Sequence, residues 1–203
     1  MGLKVSIVGA TGNVGREFLD ILHKRNFPIE ELFLLASEKS EGKKLKFGKK
    51  EINVEDLKKF DFKKTNLTLS SAGAQISSEF IPKATKAGGI VIDNSSYFRM
   101  DPSVPLVVPE VNLKDLKKIK KGIIANPNCS TIQMVMVLKP LHDYAKIKRV
   151  IVSTYQSTSG AGRSQMDELF NQTKNIFANK QIKKEYFTKQ IAFNVIPHID
   201  NFL

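Results

Sequence analysis

Long apolar runs are missing from this 203-residue chain, and cysteine is nearly so. No stretch approaches the ~18 apolar residues of a membrane-spanning helix, which takes the membrane out of the reading. The single cysteine, Cys129, cannot close an internal disulfide, and that fits a reducing cytoplasm. Arginine is scarce as well: five of the 32 basic side chains. The formal net charge of +12 invites a nucleic-acid partner. Groove and phosphate readers, however, cluster arginine with aromatics. Here the lysines are scattered in pairs such as Lys43-Lys44, Lys58-Lys59 and Lys183-Lys184. That is the pattern of a solvated surface, one that also draws in anionic substrates. No group of histidine, cysteine and carboxylate has the spacing of a metal site. Internal repeats and low-complexity tracts are absent too. No leader is read, because Lys4 runs at once into strand-like Val5-Ser6-Ile7-Val8. The same continuity discounts the myristoylation pattern of Met1-Gly2 with Ser6. The expectation is a cytoplasmic protein with no nucleic acid, membrane or metal. Its 41% hydrophobic content suffices for one full core and part of another.

The lone cysteine sits in Asn126-Pro127-Asn128-Cys129-Ser130-Thr131. Gly122-Ile123-Ile124-Ala125 before it reads as a strand end. Ile132 to Leu138 after it reads as a buried helix, which Pro140 is expected to kink or divide. Pro127 disfavours helix at Asn126, while Asn128, Ser130 and Thr131 suit a helix start. A cysteine at that point meets unpaired N–H groups and the positive end of the helix dipole, both of which favour thiolate. Position alone leaves two readings open: a covalent nucleophile, or a small buried hydrophobe.

In chain order, Leu3 to Val8 is a strand of the buried, parallel kind. Gly9-Ala10-Thr11-Gly12-Asn13-Val14-Gly15 follows and opens a helix with Phe18, Leu19 and Leu22 on one face. A glycine-rich strand-to-helix turn lets backbone N–H groups approach a pyrophosphate, so a dinucleotide site is expected here. Residues 32–36 form the second strand, and its end selects the cofactor. NAD-type sites place a carboxylate there for the ribose 2′-OH. This chain has Ser37-Glu38-Lys39-Ser40, then Lys43 and Lys44. Hydroxyls and ammonium groups suit a 2′-phosphate, so NADP(H) is favoured; Glu38 is a contrary sign, and an ordinary polar loop is the other reading. Residues 42–64 look like a small hairpin and connector. Leu67 to Leu69 is a third buried strand, whose end, Ser70-Ser71-Ala72-Gly73, is small enough for a ligand to lie close. A helix is expected over about 76–87 and a strand over 90–92, closed by Asp93-Asn94-Ser95-Ser96. The fold class is α/β: a doubly wound, Rossmann-type nucleotide domain. Arg99 stands in a motif-like setting and binds carboxylate or phosphate with its planar fork; the plainer reading pairs it with Asp101. Residues 103–113, with Pro105 and Pro109, look extended. Residues 147–157 alternate and are expected to be a long strand, leading to the flexible Thr158-Ser159-Gly160-Ala161-Gly162. A helix over about 163–178 carries Met166, Leu169, Phe170 and Phe177 on one face.

Six stretches, in this order, resemble the bacterial-type aspartate-semialdehyde dehydrogenase family: Gly9–Gly15, Asp93–Asp101, Val107–Asn112, Asn126–Thr131, Tyr155–Gly162 and Phe193–Asp200. The resemblance implies NADPH-dependent conversion of L-4-aspartyl phosphate to L-aspartate 4-semialdehyde, on the route to lysine, methionine and threonine. It implies that Cys129 attacks the acyl carbon and forms a thioester. Gln156 positions the substrate, and Arg99 with Asn128 holds its phosphate or carboxylate. On the cofactor it implies Gly9, Thr11, Gly12, Asn13 and Val14 along the pyrophosphate. Ser37, Lys39 and Ser40 fall at the 2′-phosphate, where lysine is a mild departure from the family's Arg-Ser. Ser71 and Gly73 line the crevice, and Ser159 and Gly160 the nicotinamide end. It implies a homodimer, with 1–128 as nucleotide domain and 129–203 as the first part of a catalytic and dimerisation domain. The family's acid–base histidine falls past Leu203, and His23, His142 and His198 do not match it. The 203 residues alone are therefore expected to be inactive and to expose an apolar face around Val150, Val152, Leu169, Phe170 and Phe177. The alternative is a non-catalytic NADP-binding homologue.

Overall fold

A computed structural model describes residues 2–198. The chain falls into two compact units that part between Val152 and Ser153.

The first unit is built on a seven-stranded sheet. Its strands are β1 (Leu3–Val8), β2 (Ile29–Ala36), β3 (Lys44–Phe47), β4 (Lys50–Asp56), β5 (Leu67–Ser70), β6 (Ile90–Asp93) and β7 (Ile123–Ala125). Across the sheet they run β3-β4-β2-β1-β5-β6-β7. Every pairing is parallel except the β3–β4 hairpin at one edge. Setting β3 aside, the order is third-second-first-fourth-fifth-sixth, the doubly wound arrangement with its switch point between β1 and β5. The α/β expectation holds. The lysine-rich hairpin was read as a connector; β4 goes further and joins the parallel sheet beside β2.

Alternation along the strands fills both faces. Ile7 of β1 and Leu34 of β2 point into one core with Leu19 of α1 (Asn13–Lys24). Their neighbours Val8 and Leu35 point into the other, with Phe80, Ile81 and Ala84 of α2 (Ala74–Lys86). Ile7, Leu34, Leu35 and Ile81 are fully buried. Burying a side chain of this size contributes roughly 1.5–3 kcal/mol. Beyond β6, the extended segment around Leu106 lies against Ala125 of β7 and covers that edge, as the prolines imply. It then turns into the short helix α3 (Pro109–Asn112).

Two local expectations need correction. Of the kink or division expected at Pro140, division does not occur: α4 runs Cys129–Ala145 without a break. The helix bears most of its length before the proline, and no ladder bond through Pro140 is needed to hold that part. Residues 147–157 form no strand. They alternate, but a strand exists only through a neighbour's hydrogen bonds, and no described segment pairs with them. In the second unit, α5 (Arg163–Phe177) matches the expected helix. Its apolar residues Phe170 and Phe177 are exposed, while Glu168 and Gln172 are buried. Val150 and Val152, in the first unit, are exposed as well. The last expected motif, Phe193–Asp200, lies partly outside the described residues.

The tightest joint is between β1 and α1. A Cβ on Gly15 would sit 2.3 Å from the Gly9 carbonyl oxygen and 2.7 Å from Ala10 Cα, both backbone atoms. Gly15→Ala should therefore lose about 1–3 kcal/mol, because the clash outweighs the ~1 kcal/mol that alanine gains within a helix. Urea denaturation checks it; a more stable variant would contradict the packing described.

Candidate active site

Parallel strands deliver their C-terminal ends to one edge, and the expected site residues of the first unit stand along it. At the end of β2, Ser37 opens a single 3₁₀ turn, Glu38–Ser40. Ser37, Glu38 and Lys39 are exposed, while Ser40 is buried and accepts a hydrogen bond from Lys43 Nζ at 3.5 Å. At the end of β1, Gly9 has φ +80°, a conformation that L side chains rarely adopt. A Cβ there would also meet Ser71 Oγ at 2.7 Å. Ser71 donates its hydroxyl to the carbonyls of Val8 (3.1 Å) and Gly9 (3.3 Å). The glycine turn and the β5 end are thus pressed together at the switch point. Gly12 and Gly73 each cap a helix, α1 and α2, without a side chain. Thr11, Asn13 and Val14 form the outer wall of the first turn, with Val14 exposed. Two helix N-termini with bare backbone N–H groups face this crevice, an arrangement suited to a pyrophosphate.

The ends of β6 and β7 carry the second half of the edge. Arg99 does not pair with Asp101. The Ser103 hydroxyl, Lys121 and the Ser103 N–H hold Asp101 instead and keep its carboxyl down at about 2. Arg99 donates through Nε to the Asn126 carbonyl and through Nη2 to the Asn94 carbonyl, both at 3.0 Å. Asn126 Nδ2 donates to Asn94 Oδ1 at 2.8 Å. The guanidinium is half-buried and ties the loop after β6 to the loop after β7. The sequence offers Arg99 a ligand role or a pairing with Asp101; the structure gives it this structural task instead of the pairing. Cys129 is the first residue of α4 and is exposed, so it is not the small core residue of the plainer reading. Asn128 caps the helix, its Oδ1 accepting from Ser130 N at 2.9 Å and standing 3.9 Å from Cys129 Sγ.

In the second unit Gln156 is exposed and Ser159 Oγ lies 2.6 Å from Ser157 Oγ. Ser159 and Gly160 belong to a 3₁₀ turn, Thr158–Ala161, and nothing crowds Gly160. Glu168 and Gln172 of α5 organise the chain that follows. Glu168 accepts from Tyr186 N (2.6 Å), and Gln172 accepts from Ile191 N (2.9 Å) and donates to the Lys183 carbonyl (3.0 Å).

Sequence reasoning passed over Asp93, Ser77, Asn94 and Asn126 as site residues. The available signal was a carboxylate ending the otherwise apolar run Ile90-Val91-Ile92, since buried carboxylates are rare unless bonded. The histidines stay out of the site description. His23 lies in the last turn of α1, edge-on to Phe47, at the opposite end of that helix from the glycine turn. Among the described residues no group of three or more potential ligands could hold a metal.

Residues 4–119 match the semialdehyde dehydrogenase NAD-binding domain, and 138–203 match the semialdehyde dehydrogenase dimerisation domain. An aspartate-semialdehyde dehydrogenase of Aquifex aeolicus is 59% identical over the whole of this chain, which spans 60% of that protein's length. The crystal structure of aspartate semialdehyde dehydrogenase II of Vibrio cholerae, complexed with ASA, superposes with a TM-score of 0.97 at 48% identity. That superposition covers all of this chain and 61% of the other. A Candida albicans aspartate semialdehyde dehydrogenase solved with NADP gives a TM-score of 0.56 at 28% identity, over 72% of this chain and 48% of that one.

Because Arg99 holds two carbonyls, Arg99→Lys should cost stability as well as anion binding. A lysine keeps the charge but not the fork. The expected loss is roughly 1–3 kcal/mol by urea denaturation, the range for hydrogen bonds from a charged donor. An unchanged midpoint would leave Arg99 with a ligand role only.

Proposed function

The chain belongs to the semialdehyde dehydrogenase family, and from that premise we propose that it carries the nucleotide site and the nucleophile of an NADP-dependent aspartate-semialdehyde dehydrogenase. The observation that carries the reading is an exposed cysteine at the first position of a helix, three residues after Asn126, whose carbonyl a half-buried arginine holds, on the same sheet edge as the glycine turn. A non-catalytic nucleotide binder has no use for that thiol.

In the proposed reaction the Cys129 thiolate attacks the acyl carbon of L-4-aspartyl phosphate. The carbon–oxygen bond to phosphate breaks, inorganic phosphate leaves, and a thioester remains on Sγ. Arg99, with Asn128, takes the substrate's anionic group, and Gln156 orients the acyl chain. A bound nicotinamide would supply a hydride to the thioester carbon; the carbon–sulfur bond then breaks, releasing the aldehyde and returning Cys129 as thiolate. The glycine turn from Gly9 to Val14 takes the pyrophosphate, Ser71 and Gly73 flank it, and Ser159 with Gly160 takes the nicotinamide end. Functionally we draw the domain line at 128/129, so that the nucleophile opens the catalytic part. The dimerisation-domain match supports pairing of two copies. A single cysteine and this chemistry fit the cytoplasm.

Acylation tests the chemistry directly. Mixing the protein with L-4-aspartyl phosphate should add one acyl group to Cys129, seen by intact mass and released by hydroxylamine. Cys129→Ser should take up none while keeping its melting temperature, because serine there lacks an activating base. An adduct on another residue, or none, overturns the proposal.

NADP(H) is preferred over NAD(H) in this reading because Ser37 and Lys39 are exposed at the β2 end and Lys43 stands over Ser40. The NADP in the Candida relative is in line with it. Fluorescence titration should give at least about tenfold tighter binding of NADPH, equivalent to ~1.4 kcal/mol, and Lys39→Glu should narrow the gap. Equal affinities would reject the preference.

A further inference from the structure

Among the described residues Asp93 is the one carboxylate that is fully buried at this sheet edge, and the proposed chemistry does not use it. We infer that Asp93 is the positioning residue that sets Arg99 and the cysteine loop relative to each other. The inference rests on the reading of Cys129 as nucleophile and Arg99 as anion clamp.

Burying a carboxylate is costly unless its oxygens are bonded, and here they are. Oδ1 accepts from Ser77 Oγ at 3.1 Å and from Ser95 N at 3.0 Å. Oδ2 accepts from Ser95 Oγ at 2.7 Å. Two hydroxyl relays converge on it. Ser70 Oγ lies 3.2 Å from Ser77 Oγ, whose hydrogen is spent on Asp93, so Ser70 is the donor of that pair. On the other side, Tyr97 N donates to Ser95 Oγ at 3.2 Å. Ser70 and Ser77 are fully buried and belong to β5 and α2, so they anchor the carboxylate to the sheet. Ser95 and Tyr97 belong to the turn that leads to Arg99. The carboxylate therefore fixes that turn against the sheet.

The same residue reaches the other loop through its backbone. Asn126 N donates to the Asp93 carbonyl at 3.1 Å, and Asn94 N donates to the Ser70 carbonyl at 3.0 Å. Asn94 then presents its carbonyl to Arg99 and its side-chain oxygen to Asn126. Three residues beyond Asn126 stands Cys129. Ordering of Asn94 by Asp93 thus sets the direction of the Arg99 fork and the start of the cysteine loop together. An aspartate suits the place because it accepts three hydrogen bonds and donates none. Asparagine has one acceptor oxygen, and its amide would face Ser95 Oγ, turning one acceptance into a donation.

Alkylation of Cys129 reads this geometry without any cofactor. The ratio of iodoacetate to iodoacetamide rates reports how well a cation serves an anion arriving at the thiol. Asp93→Ala should lower that ratio by roughly tenfold, the scale of local electrostatic steering, and Asp93→Asn should recover most of it. Leu34→Ala, a void in the other core, between β2 and α1, destabilises the fold away from the network and should keep the wild-type ratio. All rates are taken where circular dichroism shows the variant folded. If Asp93→Ala does not fold, Ser95→Ala, which removes the Oδ2 bond and the Tyr97 acceptor, should lower the ratio in its place. A wild-type ratio in the network variants, or the same fall in Leu34→Ala, overturns the positioning role. An inert Cys129 in the unmutated protein overturns the proposed function, and this inference with it.

Discussion

Six parallel strands must bring their C-terminal ends to one edge of the sheet, and every site residue of the first unit depends on that constraint. Parallel pairing fixes the register of β2, β1, β5, β6 and β7, so the loops that leave them stand in a fixed order. Neighbouring strands lie about 4.8 Å apart, which spreads the four intervals from β2 to β7 over roughly 19 Å. Hydroxyl and ammonium groups, the glycine turn, the small β5 end, the arginine turn and the cysteine occur along that line in sequence. An extended ligand with a phosphate at one end and a reactive carbon at the other would read them in that order. Nothing in the loops themselves dictates this; the register of buried apolar strands does.

The edge is crowded with polar groups that the sheet cannot satisfy, because a strand's last carbonyls and N–H groups have no further ladder. Arg99 meets part of that need by holding the carbonyls of Asn94 and Asn126. Asp93 meets another part from below. A side chain that satisfies the loop is thereby committed in direction, and a committed guanidinium is a better clamp than a free one, since less rotamer freedom remains to be lost on binding. The structural role of Arg99 and the ligand role proposed for it are consequently not rivals. Asn126 Oδ1 is the one buried side-chain oxygen or nitrogen among the described residues without a partner, and it lies in this same knot.

Much of the first unit was legible because its signals are local. Continuous apolar strands, the glycine turn and the helix after it are written in short stretches, and Gly9 and Gly15 are needed for reasons of φ and contact that no other residue meets. The cysteine's place at a helix start followed from Pro127 and Asn128. What could not be read was non-local. The alternation of 147–157 has the period of a strand, yet pairing decides whether a strand forms. Asp93 showed only as an odd residue closing an apolar run, because its donors come from Ser77 and Ser95, on different elements. Pro140 carried a general rule about helix interiors, and the observed helix nonetheless continues past it.

The second unit inverts the usual economy of a helix. α5 buries Glu168 and Gln172 and exposes Phe170 and Phe177. A surface helix ordinarily turns its apolar stripe inward. Here the inward face is polar because its neighbour is the irregular chain from Lys183 to Ala192, whose backbone groups need hydrogen-bonding partners rather than methyl groups. Glutamate and glutamine supply acceptors and a donor at i and i+4, on one side of the helix, and Ala192 is buried against them. The apolar stripe is therefore left for a different task. Phe170 and Phe177 are thereby left largely uncovered among the described residues, with Phe177 meeting Phe193 edge-on.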